Sequence, residues 1–123
     1  MRLNSRFSTA LTAAAVTSAV AAATAFAHTE VKSTYPAKGK SASKNIGTVS
    51  VTFTGTIRSG TLKVTGPGGK TYSSGSGGRD PRKVSRLRVG MTSSKPAGRY
   101  KGSWTMKAAD GHTQRGTFTF KLK

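Results

Sequence analysis

The two histidines of this 123-residue chain, His28 and His112, are the residues whose placement could support chemistry. His112 lies in Asp110-Gly111-His112, and Asp110 is one of three acidic residues, against 21 lysines and arginines. A locally extended segment lets side chains two positions apart face the same way, so Asp110 and His112 could contact one ion. Asp-Gly is also a common turn dipeptide, and Asp110 could serve only the turn. The pair is therefore a candidate metal site, and a purely structural role of Asp110 in the turn is the simpler alternative.

His28 follows a segment with the layout of a secretory signal peptide. Two arginines precede an apolar run over residues 10–23, and Ala25-Phe26-Ala27 has the pattern of a cleavage site. A membrane anchor is the alternative, but the run contains threonine and serine and is short against the ~20 residues of a spanning helix. We expect a signal peptide over residues 1–27 and a mature domain over residues 28–123. The domain would be exported to the periplasm, the cell exterior or the cell surface.

Cleavage after Ala27 would make His28 the first residue of the mature protein. Its α-amine and a ring nitrogen would then form a chelate ring on a metal ion, His112 would add a third nitrogen and Asp110 an oxygen. A tetragonal set of nitrogen and oxygen donors favours Cu(II), which also heads the stability order of the divalent first-row ions. The chain has no cysteine, which excludes a thiolate site and a cysteine nucleophile. The sequence thus predicts one Cu(II) ion held by His28, Asp110 and His112.

The mature chain has the pattern of short strands separated by glycine and proline, and no segment keeps a helical period. Strands rich in threonine and valine are predicted over residues 29–34, 48–54, 61–65, 70–73, 84–91, 99–108 and 117–122. Residues 74–81 are rich in glycine and serine and are expected to form an exposed loop. About seven strands at this spacing predict an all-β domain, either a sandwich or a small barrel.

Four aromatic residues fall on strand faces opposite the charged residues: Phe53, Trp104, Phe118 and Phe120. A platform for stacking nucleic-acid bases would instead need aromatic rings directed outward among the basic residues. We therefore expect these rings to form the hydrophobic core, and we expect no specific nucleic-acid partner.

Several stretches of the mature chain resemble the CopC-like copper-binding proteins. They occur in the family's order: Ala27-His28-Thr29, residues 33–39, 49–53 and 96–100 before Trp104, and 108–112 before Gly116-Thr117-Phe118. The resemblance implies a seven-stranded antiparallel Greek-key β-barrel or sandwich of immunoglobulin-like type. It also implies a Cu(II) site formed by His28, Asp110 and His112. The implied function is copper homeostasis or resistance, with a membrane copper transporter as a partner.

Several features depart from the family pattern. Met91 and Met106 fall at inward strand positions, so we expect no thioether site for Cu(I). Gly55 stands where an acidic residue often follows the Val-x-Phe strand, and Thr113 stands where a proline usually follows the D-x-H histidine. The formal charge of +18 becomes +16 when Arg2 and Arg6 are removed with the signal peptide. This charge should repel a cation, with Lys107 and Arg115 as near neighbours in sequence. Screening over about 8 Å reduces this repulsion.

The charge also supports a second hypothesis, a polyanion-binding surface protein without a metal role. Its partner would be nucleic acid, anionic lipid or an acidic cell-wall polymer. The basic residues concerned are Arg79, Arg82, Lys83, Arg86, Arg88, Arg99, Lys101 and Lys107.

A third hypothesis is an oxidative copper enzyme built on an N-terminal histidine. It is disfavoured because such enzymes have larger domains. We therefore expect a monomeric, non-enzymatic protein.

Overall fold

The structure is a computed structural model that describes residues 29–123, which form two four-stranded sheets. The strand orders are β1-β3-β6-β5 in the first sheet and β2-β8-β7-β4 in the second. The strands are β1 (Val31–Tyr35), β2 (Ser41–Ala42), β3 (Thr48–Phe53), β4 (Ile57–Thr65), β5 (Ser73–Asp80), β6 (Lys83–Met91), β7 (Gly98–Ala108) and β8 (Thr113–Leu122), with one 3-10 turn at Pro67–Gly69. The predicted all-β sandwich is confirmed. The predicted signal peptide and His28 lie outside the described residues.

The strand count is eight because the connection after β1 contains β2, which pairs parallel with β8. All the other strand pairs are antiparallel. No helix in the described part of the chain is long and apolar enough to span a membrane.

The prediction of a loop over residues 74–81 is wrong, because most of that segment belongs to β5. Glycine and serine have low strand propensity, but β5 pairs with β6 in spite of irregular register. Asp80 fixes the turn between them, since its Oδ1 accepts the backbone N–H of Arg82 at 2.9 Å. The predicted strand at 70–73 is divided between the two sheets. Thr71 forms a single bridge with Thr65 beside β4, and Ser73 begins β5 in the other sheet.

The core lies between the two sheets and uses the inward positions of each strand. The four aromatic residues predicted for it are at most 8% exposed, and Met91 and Met106 are also buried. Phe53 and Trp104 meet edge to face with ring centroids 5.0 Å apart, a contact worth about 1 kcal/mol beyond its buried area. The predicted aromatic core is confirmed.

The hairpin of β7 and β8 positions Trp104. The two strands pair without interruption from Gly98 and Leu122 to Lys107 and Thr113. Trp104 is opposite Gly116 in this register, and a Cβ on Gly116 would lie 2.4 Å from Cζ2 of the indole. Glycine at this position therefore allows the indole to pack directly against the backbone of β8.

Tyr100 secures the entry of the chain into β7. Its hydroxyl donates to the carbonyl of Pro96 at 2.6 Å, and the residue is 1% exposed. A tyrosine bonded in this way to the backbone a few residues upstream is typical of Greek-key sandwiches. Burial, with a smaller contribution from Tyr72, raises the pKa of Tyr100.

Candidate metal centre

The turn between β7 and β8 holds Asp110 and His112 close together. The N–H of Gly111 donates to the carbonyl of Ala108, and the N–H of Ala108 donates to the carbonyl of His112, each at 2.9 Å. Gly111 has a φ of 94°, a conformation that favours glycine. Asp-Gly therefore does serve the turn. The same turn also brings a carboxylate and an imidazole into contact, so the two interpretations of Asp110 are compatible.

Both carboxylate oxygens of Asp110 contact His112. Oδ1 accepts the backbone N–H of His112 at 2.9 Å, and Oδ2 lies 2.9 Å from the ring Nδ1. These hydrogen bonds lower the pKa of Asp110, with the ring contact contributing most and the backbone N–H next. An ionised carboxylate can only accept, so Nδ1 carries the proton of the ring contact. The side chains are 41% and 69% exposed and are thus accessible to an ion.

Asp110 and His112 line a cleft of about 560 Å³ beside this turn. Part of the cleft wall is the start of the described chain, because Thr29, Glu30 and Val31 also line it. Glu30 is fixed there by two backbone contacts with Thr54: its N–H donates to Oγ1 at 2.9 Å, and its carbonyl accepts the Thr54 N–H at 2.8 Å. The segment that follows His28 thus lies beside the turn between β7 and β8.

The cleft is acidic in a strongly basic protein. Two of the three acidic residues, Glu30 and Asp110, line it, and no lysine or arginine among the described residues does. Lys107 and Arg115 occupy outward positions of β7 and β8, whereas Trp104 of β7 lines the cleft from an inward position. Neither cation lines the cleft, although Thr113, the cross-strand partner of Lys107, does.

The structure brings two of the three predicted ligands together, Asp110 and His112. Within residues 29–123, no three His, Cys, Asp or Glu side chains are grouped closely enough to hold a metal ion. The third predicted ligand, His28, lies outside the described residues. Its neighbour Thr29 lines the same cleft as the other two.

Sequence reasoning missed two residues near this site. Trp104, assigned only to the core, also forms a wall of the cleft. Arg58 reaches the turn, because a Cβ on Gly111 would lie 4.0 Å from its Nη1. The pairing of Ile57 with Ala108 brings Arg58 there. No local pattern in the sequence signals a contact between such distant segments.

Residues 31–123 match the CopC domain family. The crystal structure of CopC from Methylosinus trichosporium OB3b is similar at 18% identity, with 78% of this chain and 94% of that chain covered and a TM-score of 0.64. The crystal structure of PcoC, a methionine-rich copper resistance protein from Escherichia coli, is similar at 23% identity. The match covers 78% of this chain and 99% of that chain, with a TM-score of 0.60. These similarities show the sandwich fold. No curated protein sequence matches.

Proposed function

This chain belongs to the CopC domain family, and we propose that it is an exported, non-enzymatic protein that binds one Cu(II) ion in copper homeostasis or resistance. The proposed ligands are the α-amine and a ring nitrogen of His28, a ring nitrogen of His112 and a carboxylate oxygen of Asp110. The site is complete only after cleavage, because the α-amine of His28 does not exist until the bond after Ala27 is cut.

The observation that carries this proposal is the position of Thr29. Thr29 lines the same cleft as Asp110 and His112. This position supports the proposal, because Thr29 directly follows His28 in the sequence. Two nitrogen donors from His28, one nitrogen from His112 and one oxygen from Asp110 make the tetragonal donor set that favours Cu(II).

The spacing of Asp110 and His112 supports their assignment as adjacent ligands. Metal–ligand bonds of about 2.0–2.1 Å at right angles place two donors about 2.9 Å apart. Oδ2 of Asp110 and Nδ1 of His112 are 2.9 Å apart. Copper bound at Nδ1 would take the place of the proton between them, and the neutral ring would carry its proton on Nε2 instead. A carboxylate has about four lone-pair positions, so Oδ1 would still accept the backbone N–H of His112.

The choice of Cu(II) over Cu(I) depends on the methionines. PcoC is a methionine-rich copper resistance protein, and thioethers are ligands that select Cu(I). Two of the three methionines of this chain, Met91 and Met106, are buried in the core. We therefore assign copper to nitrogen and oxygen donors at the cleft, with a membrane copper transporter as the proposed source or receiver.

Mass spectrometry of the secreted protein, with and without Cu(II), tests the proposal. The metal-free mass should correspond to a chain beginning at His28, and one equivalent of Cu(II) should add the mass of one copper ion under native conditions. A mature chain that begins elsewhere, or that retains no copper at one equivalent, would contradict the proposal.

A further inference from the structure

The outer surface of the second sheet carries a set of cations and no carboxylate. Six outward positions of β4, β7 and β8 are basic, and every other outward position from residue 59 onward on these strands is serine or threonine. We call this surface the basic face, and its cations are Lys63, Arg99, Lys101, Lys107, Arg115 and Lys121.

The acidic residues of the described chain lie away from the basic face. Glu30 and Asp110 line the cleft, and Asp80 of the first sheet is paired with Arg86 at 3.6 Å. The cations of the basic face therefore have no carboxylate among them, and their fields add. The same pairing to Asp80 makes Arg86, a candidate cation in the sequence, a poorer partner for an external anion.

The packing of like charges on this face is unfavourable for stability. Arg99 and Lys121 are direct cross-strand partners in the register of β7 and β8, and like charges in that relationship destabilise a sheet. Lys101 is two positions along β7 from Arg99, about 7 Å away. A bound polyanion would remove this repulsion. The loss of stability caused by the like charges is therefore explained if the face serves binding.

The basic face also offers hydroxyl groups between its cations. A shallow depression of about 500 Å³ is lined by Lys63 and Arg115 and by the hydroxyl-bearing Ser103, Thr105 and Thr117. Lysine, arginine, serine and threonine side chains are the groups that contact phosphate oxygens in nucleic-acid complexes. The depression therefore has the donors that a phosphate group needs.

We propose that the basic face binds a linear polymer of phosphate groups, a function separate from copper binding. Charge complementarity and hydroxyl donors favour phosphate, and the composition of the face disfavours two other polyanions. The exposed large hydrophobic residues in the described part of the chain are Val31, Tyr35 and Val84, none of which lies on β4, β7 or β8. The face thus presents no exposed large apolar side chain to insert into a bilayer. Trp104 lines the depression but is only 8% exposed, which leaves little ring surface for stacking on bases.

The test uses the metal-free secreted protein and labelled inorganic polyphosphate, with affinity measured between 0.05 and 0.3 M salt. The face variant K63Q/K101Q/K121Q is compared with the charge-matched control K38Q/K44Q/K83Q. All six lysines are exposed, so both variants should fold, which thermal unfolding verifies.

Each phosphate contact contributes a slope of about 0.7 to the fall of log affinity with log salt concentration. The loss of one contact therefore lowers the affinity about fivefold at 0.1 M salt. The face variant should therefore bind about 100-fold more weakly with a shallower salt slope, and the control should lose less than about fivefold.

Equal losses in the two variants would overturn the proposal, because the binding would then reflect net charge alone. Two further probes at the same phosphate concentration identify the partner class. Phosphatidylglycerol vesicles or single-stranded DNA binding more tightly than polyphosphate would also overturn the proposal, and would assign the face to a membrane or to nucleic acid. Weaker binding of both would support it.

Discussion

Oδ2 of Asp110 lies 2.9 Å from Nδ1 of His112, in a turn beside a cleft that Thr29 also lines. One short hydrogen bond therefore holds two side chains of the type that binds copper next to the segment that follows the predicted cleavage site. The cleft is lined by two acidic residues and, within residues 29–123, by no basic residue. The acidic lining of this cleft contrasts with the formal charge of +18 of the whole chain.

Replacing Asp110 with asparagine should weaken Cu(II) binding and leave the fold intact. Asparagine is tolerated in the turn and can still accept the N–H of His112, but it lacks the negative charge. Affinity should fall by at least about 10–100-fold, the loss that follows when only a hydrogen-bond partner of a metal-bound histidine is changed. E30Q is the matched control, because Glu30 lines the same cleft but is not a proposed ligand. Competition titration against a copper chelator measures the Cu(II) affinity of both variants. Equal losses of affinity would contradict the assignment of Asp110 as a ligand.

The fluorescence of Trp104 should report copper binding. Trp104 is the only tryptophan of the chain and lines the cleft with Asp110 and His112. Paramagnetic Cu(II) quenches a nearby indole, whereas Zn(II) has a filled d shell and should quench much less. Emission should fall and then level off at one equivalent of Cu(II). Quenching that continues over several equivalents would point to binding elsewhere on the protein.

Replacing Gly116 with alanine should destabilise the domain and displace the indole. The new Cβ would lie 2.4 Å from Cζ2 of Trp104, and overpacking of this kind costs about 1–3 kcal/mol. G90A is the control, because a Cβ on Gly90 meets nothing within 4 Å and should be neutral or slightly stabilising. Unfolding in denaturant measures the free energy of unfolding of both variants. Equal stability of the two would show that Gly116 does not control the packing of Trp104.

The stability that Tyr100 contributes should decrease at alkaline pH. Burial, and to a lesser degree Tyr72, raises the pKa of Tyr100 in the folded protein above its ordinary value of 10.0. This contribution is fully present below pH 10 and is lost as pH rises through the folded pKa, because the unfolded chain ionises first. Y100F removes the ionisable group and costs about 1 kcal/mol at neutral pH through the lost bond to Pro96.

Unfolding of the wild type and Y100F in denaturant at pH 8, 10 and 11 measures this effect. The stability advantage of the wild type should shrink above pH 10. Comparing the two proteins at each pH cancels the titration of the lysines, which both share. A difference in unfolding free energy that stays constant to pH 11 would contradict the role assigned to the buried hydroxyl.

The alternation of apolar and polar residues was sufficient to predict the sandwich and its aromatic core. Val49, Val51 and Phe53 are all buried along β3, as a period of two predicts. The pattern failed at β5, because its glycines and serines have no apolar face to signal a strand. There the pairing with β6 determines the structure, and this pairing is not a local property of the segment.

The candidate site was also predicted only in part. The rarity of histidine and acidic residues in the sequence was sufficient to single out Asp110 and His112. The alternation along β7 was sufficient to predict that Lys107 points outward. The approach of Arg58 and the wall formed by Trp104 could not be predicted from neighbouring residues alone, because each depends on a contact between strands.

The most direct test of the central claim is the Cu(II) affinity of the mature domain, residues 28–123, compared with the same domain carrying one glycine before His28. The added glycine moves the α-amine away from the imidazole of His28 and leaves Asp110 and His112 unchanged. Calorimetry and chelator competition should show one tight Cu(II) site in the mature domain and the loss of most of its affinity in the extended domain. An unchanged affinity in the extended domain would show that the α-amine of His28 is not a ligand, and the proposed site would be wrong.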